Sequence, residues 1–438
     1  MLSKKDFEIA DLGPCEIDSP LLNLRYPDGG TFAFTDDDER ILIDHRVASL
    51  REITDETDCL PSFERAGARR KIFFKPEKTT VSIVTCGGLC PGLNNVIRDI
   101  VMTARHGYGV RRVLGFHYGY RGLVEKESHI ELTPEGVSEI HELGGTILGS
   151  SRGPQDEYKM VDRLEELDVN VLFVIGGDGT MRGALTLSDE IRRRNLEIAV
   201  VGIPKTIDND FKFMDRSFGF ITAYSKALEA IDSAHREAQA APNGIGLVKL
   251  MGRHSGFIAC AATLASNQVN FILIPEVPFK LEGPNGFLEA LRKRLERRDH
   301  AVIVVAEGAG QDLFGDAGSQ RDPSGNIVLG DIGALLSRRI KEEFKDIDME
   351  INLKYIDPSY IIRSIKASPP DSVLCTSLAI HAVHAAMCGK TEMIIALWHR
   401  ALVHIPMRQA ILERNVVDPS GPYWLSVLGT TGQPLAFY

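Results

Sequence analysis

No segment of this 438-residue chain approaches the ~18 consecutive apolar residues that a membrane-spanning helix needs. A basic excess is missing too. The formal net charge is -10, which argues against a nucleic-acid or membrane-surface partner, because those surfaces draw clusters of Lys and Arg. There is no disulfide framework either. The cysteines, Cys15, Cys59, Cys86, Cys90, Cys260, Cys375 and Cys388, are odd in number and scattered, mostly inside apolar runs, and read as reduced thiols. Only Cys86 and Cys90 lie close together. With no second pair and no clustered histidine, zinc is not expected. The first residues, MLSKKDFEIADLG, hold no apolar core of a signal peptide, so a cytoplasmic location is expected.

Two familiar phosphate-binding templates also fail. Gly389-Lys390-Thr391 ends like a P-loop, but the first glycine of that motif would fall on His384, and the triplet closes a helical pattern instead of opening one. Gly389 reads more simply as a helix C-cap. The dinucleotide fingerprint fits Gly177 and Gly179 but meets Arg182 at its third glycine, which removes the main support for a nicotinamide-dependent dehydrogenase.

What is present is a globular composition, 44% hydrophobic and 25% charged, in a chain long enough for about two lobes. Residues 1–75 are rich in Asp, Pro and Arg, show little periodicity, and are expected to form an extension packed on the outside. From there short apolar runs alternate with helical patterns, which predicts an α/β fold built on buried, mainly parallel sheets. Ligands of such sheets lie beyond the carboxyl ends of strands. The polar residues at 86–92, 176–180, 204–210, 251–253 and 307 sit at those ends, as if loops from one sheet edge, or two facing edges, lined one cleft.

The loops differ in how much chemistry they imply. In 87-GGLCPG-92, Gly88 removes a Cβ where a ligand could approach, and a helix starting near Asn94 aims its N–H groups at the same spot; a plain strand-to-helix turn explains it as well. In 176-GGDGT-180 a turn alone does not need an acid between glycines. A carboxylate beside phosphate calls for a cation, so Asp178 reads as facing Mg²⁺, with Gly179 and Gly183 leaving room for a nucleotide. In 204-PKTIDND-210, Asp208 suits a general base taking a proton from a hydroxyl, and Lys205 could touch a terminal phosphate. Arg253 in 251-MGRHSG-256 suits an anionic substrate, Glu307 suits sugar hydroxyls, and Lys354, Tyr360 and Arg363 suggest an anion site. Arg152, in 149-GSSRGPQ-155, could stabilise charge on a moving group.

Taken in order, GGLCPGLNN, GGDGT, PKTIDND, MGR and the glutamate of AEG resemble the 6-phosphofructokinases, from about residue 79 to the end. PKTIDND, NGIGLVKLMGR and KYIDPSYIIR are similar to the plant and trypanosomatid ATP-dependent type, which also carries an N-terminal extension. The resemblance implies two similar three-layer lobes: a donor lobe at 76–238, a sugar-phosphate lobe at 239–364, and a C-terminal helical segment, 365–438, returning to the first. It implies ATP-dependent phosphorylation of fructose 6-phosphate at its 1-hydroxyl, with Asp208 as base, Asp178 holding Mg²⁺, and Arg152 on the transferred phosphoryl. Lys205 and Thr206 would assist. Gly88, Tyr120, Gly177, Gly179, Thr180 and Gly183 would line the donor pocket. Thr206, Asp210, Met251, Gly252, Arg253, Glu307, Lys354, Tyr360 and Arg363 would surround the sugar phosphate, Lys354 standing where bacterial members have an arginine. Tyr360 replaces a bacterial histidine, and a second phosphate-binding arginine has no match in 243-NGIGLVKL-250. A cytoplasmic, allosteric homo-oligomer, dimer or tetramer, is also implied.

The donor motif is mixed. Diphosphate-dependent relatives combine GGDD with the lysine of PKTIDND; bacterial ATP enzymes have glycine at both places. Gly179 is ATP-like and Lys205 diphosphate-like. Exclusion of a nucleotide by a second aspartate is the stronger effect and is absent, so ATP is expected and diphosphate is the runner-up. A non-catalytic nucleotide sensor would have no use for Asp178, Asp208 and Arg152 together. A NAD or lipid kinase would not need Arg253, Glu307, Tyr360 and Arg363.

Overall fold

The computed structural model of the chain describes residues 4–54, 60–319, 321 and 327–438; Cys59, with 1–3 and 55–58 of the N-terminal extension, lies outside them. The main strands and helices alternate. From the N-terminal segment come β1 (Arg40–Leu42) and β2 (Ser62–Arg65). There follow β3 (Thr80–Thr85), α1 (Leu93–Met102), β4 (Arg112–Phe116), β5 (His129–Glu131), β6 (Val171–Gly176), α2 (Asp178–Arg193) and β7 (Ala199–Pro204). After α3 (Phe220–Gln239) come β8 (Gly244–Leu250), α4 (Phe257–Ser266), β9 (Phe271–Leu273), α5 (Phe287–Arg298) and β10 (His300–Ala306). Then follow α6 (Ile332–Asp346), β11 (Asn352–Ile356), the short α7 (Ser359–Ser364), α8 (Pro369–Met387), β12 (Met393–Trp398), β13 (Ala401–Pro406) and α9 (Pro422–Thr431).

These elements form two compact units. The first comprises the described residues of Met1–Thr206, with Phe211–Gly219 and Ile365–Arg414; the second comprises Ile207–Asp210, Phe220–Ser364 and Asn415–Tyr438. The division differs in two places from the lobes expected above. Helix α3, assigned by sequence to the donor lobe, belongs to the second unit, because its apolar stripe (Ala227, Ile231, Ala234) is buried there and it packs along β8. The C-terminal segment is not all helix and does not return to one unit only, since it contains the β12–β13 pair and its last residues, from Asn415, join the second unit.

The first unit is built on a nine-stranded sheet in the order β1-β2-β13-β12-β7-β6-β3-β4-β5. Its centre, β12-β7-β6-β3-β4, is parallel, and both edges are antiparallel. β3, β6 and β7 are buried at every residue, which is why they read as continuous apolar runs and not as alternating ones. Each fully buried Val, Ile, Leu or Phe there contributes about 1.5–3 kcal/mol. The second unit holds a four-stranded, wholly parallel sheet in the order β9-β10-β8-β11. The two sheets are thus both α/β but unequal in size.

The N-terminal segment corrects the expectation of an external extension. β2 pairs antiparallel with β13, so the segment extends the main sheet. Phe7 and Phe63 are buried with their rings edge-on at 5.5 Å, inside the core of the first unit. Glu64 and Arg69 are buried as well, 3.2 Å apart, and His404 lies 3.1 Å from the same carboxylate. Strands of three and four residues are too short to show a period, which is why composition alone suggested a loose wrapping. Among the described residues no helix is long and apolar enough to cross a membrane, and the six described cysteines carry free thiols.

Candidate functional site

In the first unit, three chemistry-bearing loops leave the carboxyl ends of neighbouring strands β3, β6 and β7. Gly87 follows β3 with φ +85°, a conformation that disfavours a side chain. The loop carrying Arg152 is stitched to it. Thr85 Oγ1 donates to the Gly149 carbonyl at 2.6 Å, Ser150 Oγ to the Gly87 carbonyl at 2.6 Å, and the Gly87 N–H to the Ser151 carbonyl at 3.0 Å. Arg152 is exposed beyond these anchors.

β6 ends at Gly176, and α2 begins at Asp178 with Gly177 as N-cap and no side-chain cap bond. The sixteen-residue helix thus starts without a side-chain cap and turns the positive end of its dipole outward, a ready anion site. The Asp178 carboxylate is only 19% exposed and forms a 3.0 Å ion pair with Arg414. A Cβ built on Gly179 meets nothing within 4 Å, so this position is open. Gly183 behaves differently. A Cβ there would stand 2.8 Å from the Tyr120 ring, whose hydroxyl donates to the Thr180 carbonyl at 2.6 Å. Gly183 thus makes room for the Tyr120 ring, and the buried tyrosine supports the first turns of α2. Lys205, at the end of β7, is 7% exposed. Its Nζ donates to the Gly88 carbonyl at 2.5 Å, and its N–H to the Gly176 carbonyl at 2.9 Å, tying all three loops together. Thr206 follows, its carbonyl accepting from Ser217 Oγ at 2.6 Å.

The second unit gathers the acids and arginines. Asn209 sits in the left-handed region at φ +57°, and this places Asp208 and Asp210 on either side of a tight turn. The turn is pinned from behind, with Ser255 Oγ donating to the Asp208 carbonyl at 2.9 Å and the Asn415 N–H to the Asp210 carbonyl at 2.9 Å. The Asp208 carboxyl is pushed up to about 8, first by burial and then by the nearby charges of Asp210 and Glu307; a hydrogen bond from the Arg253 N–H and the Arg253 charge pull against this. Glu307 is raised by its burial, countered by Arg253, Lys249 and Arg363.

Backbone lacing holds the group. The Glu307 N–H donates to Leu250 O at 2.9 Å and the Gly308 N–H to Gly252 O at 3.1 Å. Gly252 at φ +127° lets the chain turn sharply after Met251, and Arg253 Nη1 reaches the Ile327 carbonyl at 2.5 Å. Arg363 lies over the Tyr360 ring at 4.7 Å. Tyr360 itself is 77% exposed, and Lys354 is exposed on the edge strand β11.

So the structure brings Asp208, Asp210, Arg253 and Glu307 together, and separately Gly88, Asp178 and Lys205, while Lys354 and Tyr360 extend to the surface. Arg414 and Asn415 were not singled out from sequence. Each lies in no motif and meets its partner from a distant part of the chain, so no local spacing announces it. As for metal, among the described residues no group of three or more His, Cys, Asp or Glu forms a cage. Mg²⁺ usually takes one or two carboxylates and completes its shell with phosphate and water oxygens. A single, partly exposed Asp178 at the mouth of an anion-binding helix fits that mode.

The comparisons agree with one another. A family model described as phosphofructokinase matches residues 80–386. An ATP-dependent 6-phosphofructokinase of Borreliella burgdorferi is 48% identical over 441 residues, covering 98% of this chain and 97% of the relative. One from Amycolatopsis methanolica is 50% identical, covering 99% and 96%. The Trypanosoma brucei brucei enzyme of the same description is 50% identical over 369 residues, covering 83% and 75%. Among solved structures, a pyrophosphate-dependent phosphofructokinase from Marinobacter aquaeolei aligns with a TM-score of 0.66 at 19% identity, covering 82% of this chain and 93% of that one, a likeness of fold alone.

Proposed function

Because this chain belongs to the phosphofructokinase family, we infer that it transfers the terminal phosphoryl of ATP to the 1-hydroxyl of fructose 6-phosphate, giving fructose 1,6-bisphosphate and ADP, a step of glycolysis. The observation that carries the chemistry is the buried Asp208 carboxyl, held by the Arg253 N–H beside Asp210 and Glu307. A base works best with a pKa near the working pH, and burial among acids moves this carboxyl there.

In this reading Asp208 takes the proton of the 1-hydroxyl as the phosphoryl arrives. Phosphoryl transfer asks little covalent chemistry of a protein and much positioning and charge stabilisation. The uncapped start of α2 receives the phosphates of ATP, with Gly88, Gly177, Gly179 and Thr180 lining that side and Tyr120 and Gly183 supporting it. Lys205 and Arg152 bear on the transferred group. Asp178 would hold Mg²⁺, which when bound would offset negative charge on the phosphates. The sugar phosphate is taken by Thr206, Asp210, Met251, Gly252, Arg253, Glu307, Lys354, Tyr360 and Arg363. Family membership further supports a cytoplasmic homo-oligomer under allosteric control. The test is a coupled assay of fructose 1,6-bisphosphate formation with Mg²⁺ and either ATP or diphosphate. Turnover with ATP is expected; turnover with diphosphate alone would overturn the donor assignment, and turnover with neither would overturn the activity.

A further inference from the structure

In the second unit Lys249 is a largely shielded cation that the reaction as described leaves unused. Lys249 is the penultimate residue of β8, in line with Ile245 and Leu247, the alternate residues that face that unit's core. Its side chain is 13% exposed. A lysine so placed loses hydration worth several kcal/mol unless carboxylates meet it. Two do, Asp331 Oδ1 at 3.1 Å and Asp357 Oδ2 at 2.9 Å.

The two carboxylates start two different helices. Asp331 caps α6 by accepting from the Ala334 N–H. Asp357 accepts from the N–H of Ser359 at 3.1 Å and from its hydroxyl at 2.5 Å, at the start of α7. The β8–β11 ladder ends at Val248 opposite Ile356, so Lys249 takes hold of Asp357 one step past the last paired residues. A six-residue helix has little stability of its own and takes its direction from its ends. Along α7 stand Tyr360 and Arg363, stacked at 4.7 Å, and the Arg363 charge bears on Glu307.

We propose that Lys249 is a positioning residue for the sugar phosphate: by gripping Asp357 it sets the start of α7, and so where Arg363 and Tyr360 stand. The inference rests on the reading of Arg363 and Tyr360 as substrate contacts. Its test is steady-state kinetics with each substrate varied, on the full chain and on Lys249→Met, Lys249→Arg, Asp357→Asn, Asp331→Asn and Arg363→Met. Lys249→Met and Asp357→Asn should each raise KM for fructose 6-phosphate about tenfold, with KM for ATP within about twofold, and the double variant should be no worse than either single one. Lys249→Arg should recover most of the loss. Asp331→Asn, which loosens the start of α6 and removes one of the two Lys249 contacts but keeps the Lys249–Asp357 pair, should leave both KM values near wild type. Asp357→Asn keeps an oxygen for Ser359 and serves if Lys249→Met does not fold. Unchanged KM for fructose 6-phosphate in Asp357→Asn, or equal losses for both substrates, overturns the proposal. If Arg363→Met also leaves that KM unchanged, the substrate-contact reading fails first.

Discussion

Replacing Gly179 by aspartate should separate nucleotide binding from everything else the chain does. A Cβ at this position meets nothing within 4 Å, so the added side chain finds space without moving the protein. The position is the second residue of α2, where an acid also suits the helix dipole, and folding stability should not fall. The cost therefore lands on the ligand. A carboxylate about 5 Å from one phosphate charge is repelled by about 1–3 kcal/mol for an effective dielectric between about 80 and 20, a rise in KM for ATP of roughly five- to two-hundredfold. The residues proposed to contact fructose 6-phosphate are others, and its KM should stay within about twofold. The assay is initial-rate kinetics with ATP and sugar varied in turn, beside thermal unfolding of both proteins. Gly179→Ala is the control, since it adds the Cβ without the charge and should leave KM for ATP nearly unchanged. If Gly179→Asp and wild type share the same ATP kinetics, the reasoning about this position is wrong.

Asp208→Asn should lower kcat by about 10²–10⁴ and flatten the rise of wild-type kcat/KM with pH towards about 8; a retained pH profile with near-normal kcat would exclude Asp208 as the base. The same residue has a stability signature. The folded chain binds the Asp208 proton more tightly than the unfolded one, so stability falls as pH rises from the ordinary carboxyl value of 3.8 to about 8. Asp208→Asn should therefore gain most over wild type in chemical denaturation above about pH 8 and little below about pH 4. Gly183→Ala should cost about 1–3 kcal/mol in the same experiment, because its methyl would stand 2.8 Å from the Tyr120 ring; an unchanged midpoint would contradict that packing. Burial alone would raise the Glu64 carboxyl, but the His404 hydrogen bond and the charges of His404, Lys390 and Arg69 bring it down to about 2. Its contribution is present above the unfolded value of 4.5 and lost as pH falls towards 2, so Glu64→Gln should lose part of the acid sensitivity of unfolding, and identical acid titrations would refute this.

The candidate catalytic loops were legible because buried parallel strands write themselves as unbroken apolar runs. Each run stops at a polar cluster, as at Gly176-Gly177-Asp178 or Pro204-Lys205-Thr206. The pieces that escaped lack such a signal. β12 and β13 form a hairpin closed by His399 and Arg400, with φ of 49° and 64°. Two-residue hairpins with positive φ are usually announced by Asn-Gly or Asp-Gly, and His-Arg announces nothing. The packing that Gly183 serves was hidden for a related reason. Sequence reports a missing Cβ but not what fills the space, and only the fold brings the Tyr120 ring to it. Arg414 and Asn415, which hold Asp178 and the Asp208 turn, depend wholly on tertiary placement.

Lys205 shows why a motif letter is weaker than the contact it makes. By letter it favours diphosphate, because a cation on this loop could neutralise a small, highly charged donor. The residue is nevertheless 7% exposed, and its ammonium gives a hydrogen bond to the Gly88 carbonyl, binding the β7 loop to the β3 loop. A buried ammonium needs such partners to offset its lost hydration, so part of its task is structural and is the same for either donor. It adds positive charge for any phosphate that arrives and takes no space from a nucleotide. Only a residue that fills or repels the nucleotide can exclude it, and Gly179, beside the Asp178 carboxylate, does neither. Discrimination between donors is a difference of two affinities. A group that helps both moves the difference little, whereas a group that hinders one moves it by its full effect. The open glycine therefore outweighs the lysine, in keeping with relatives described as ATP-dependent at 48–50% identity over nearly the whole chain.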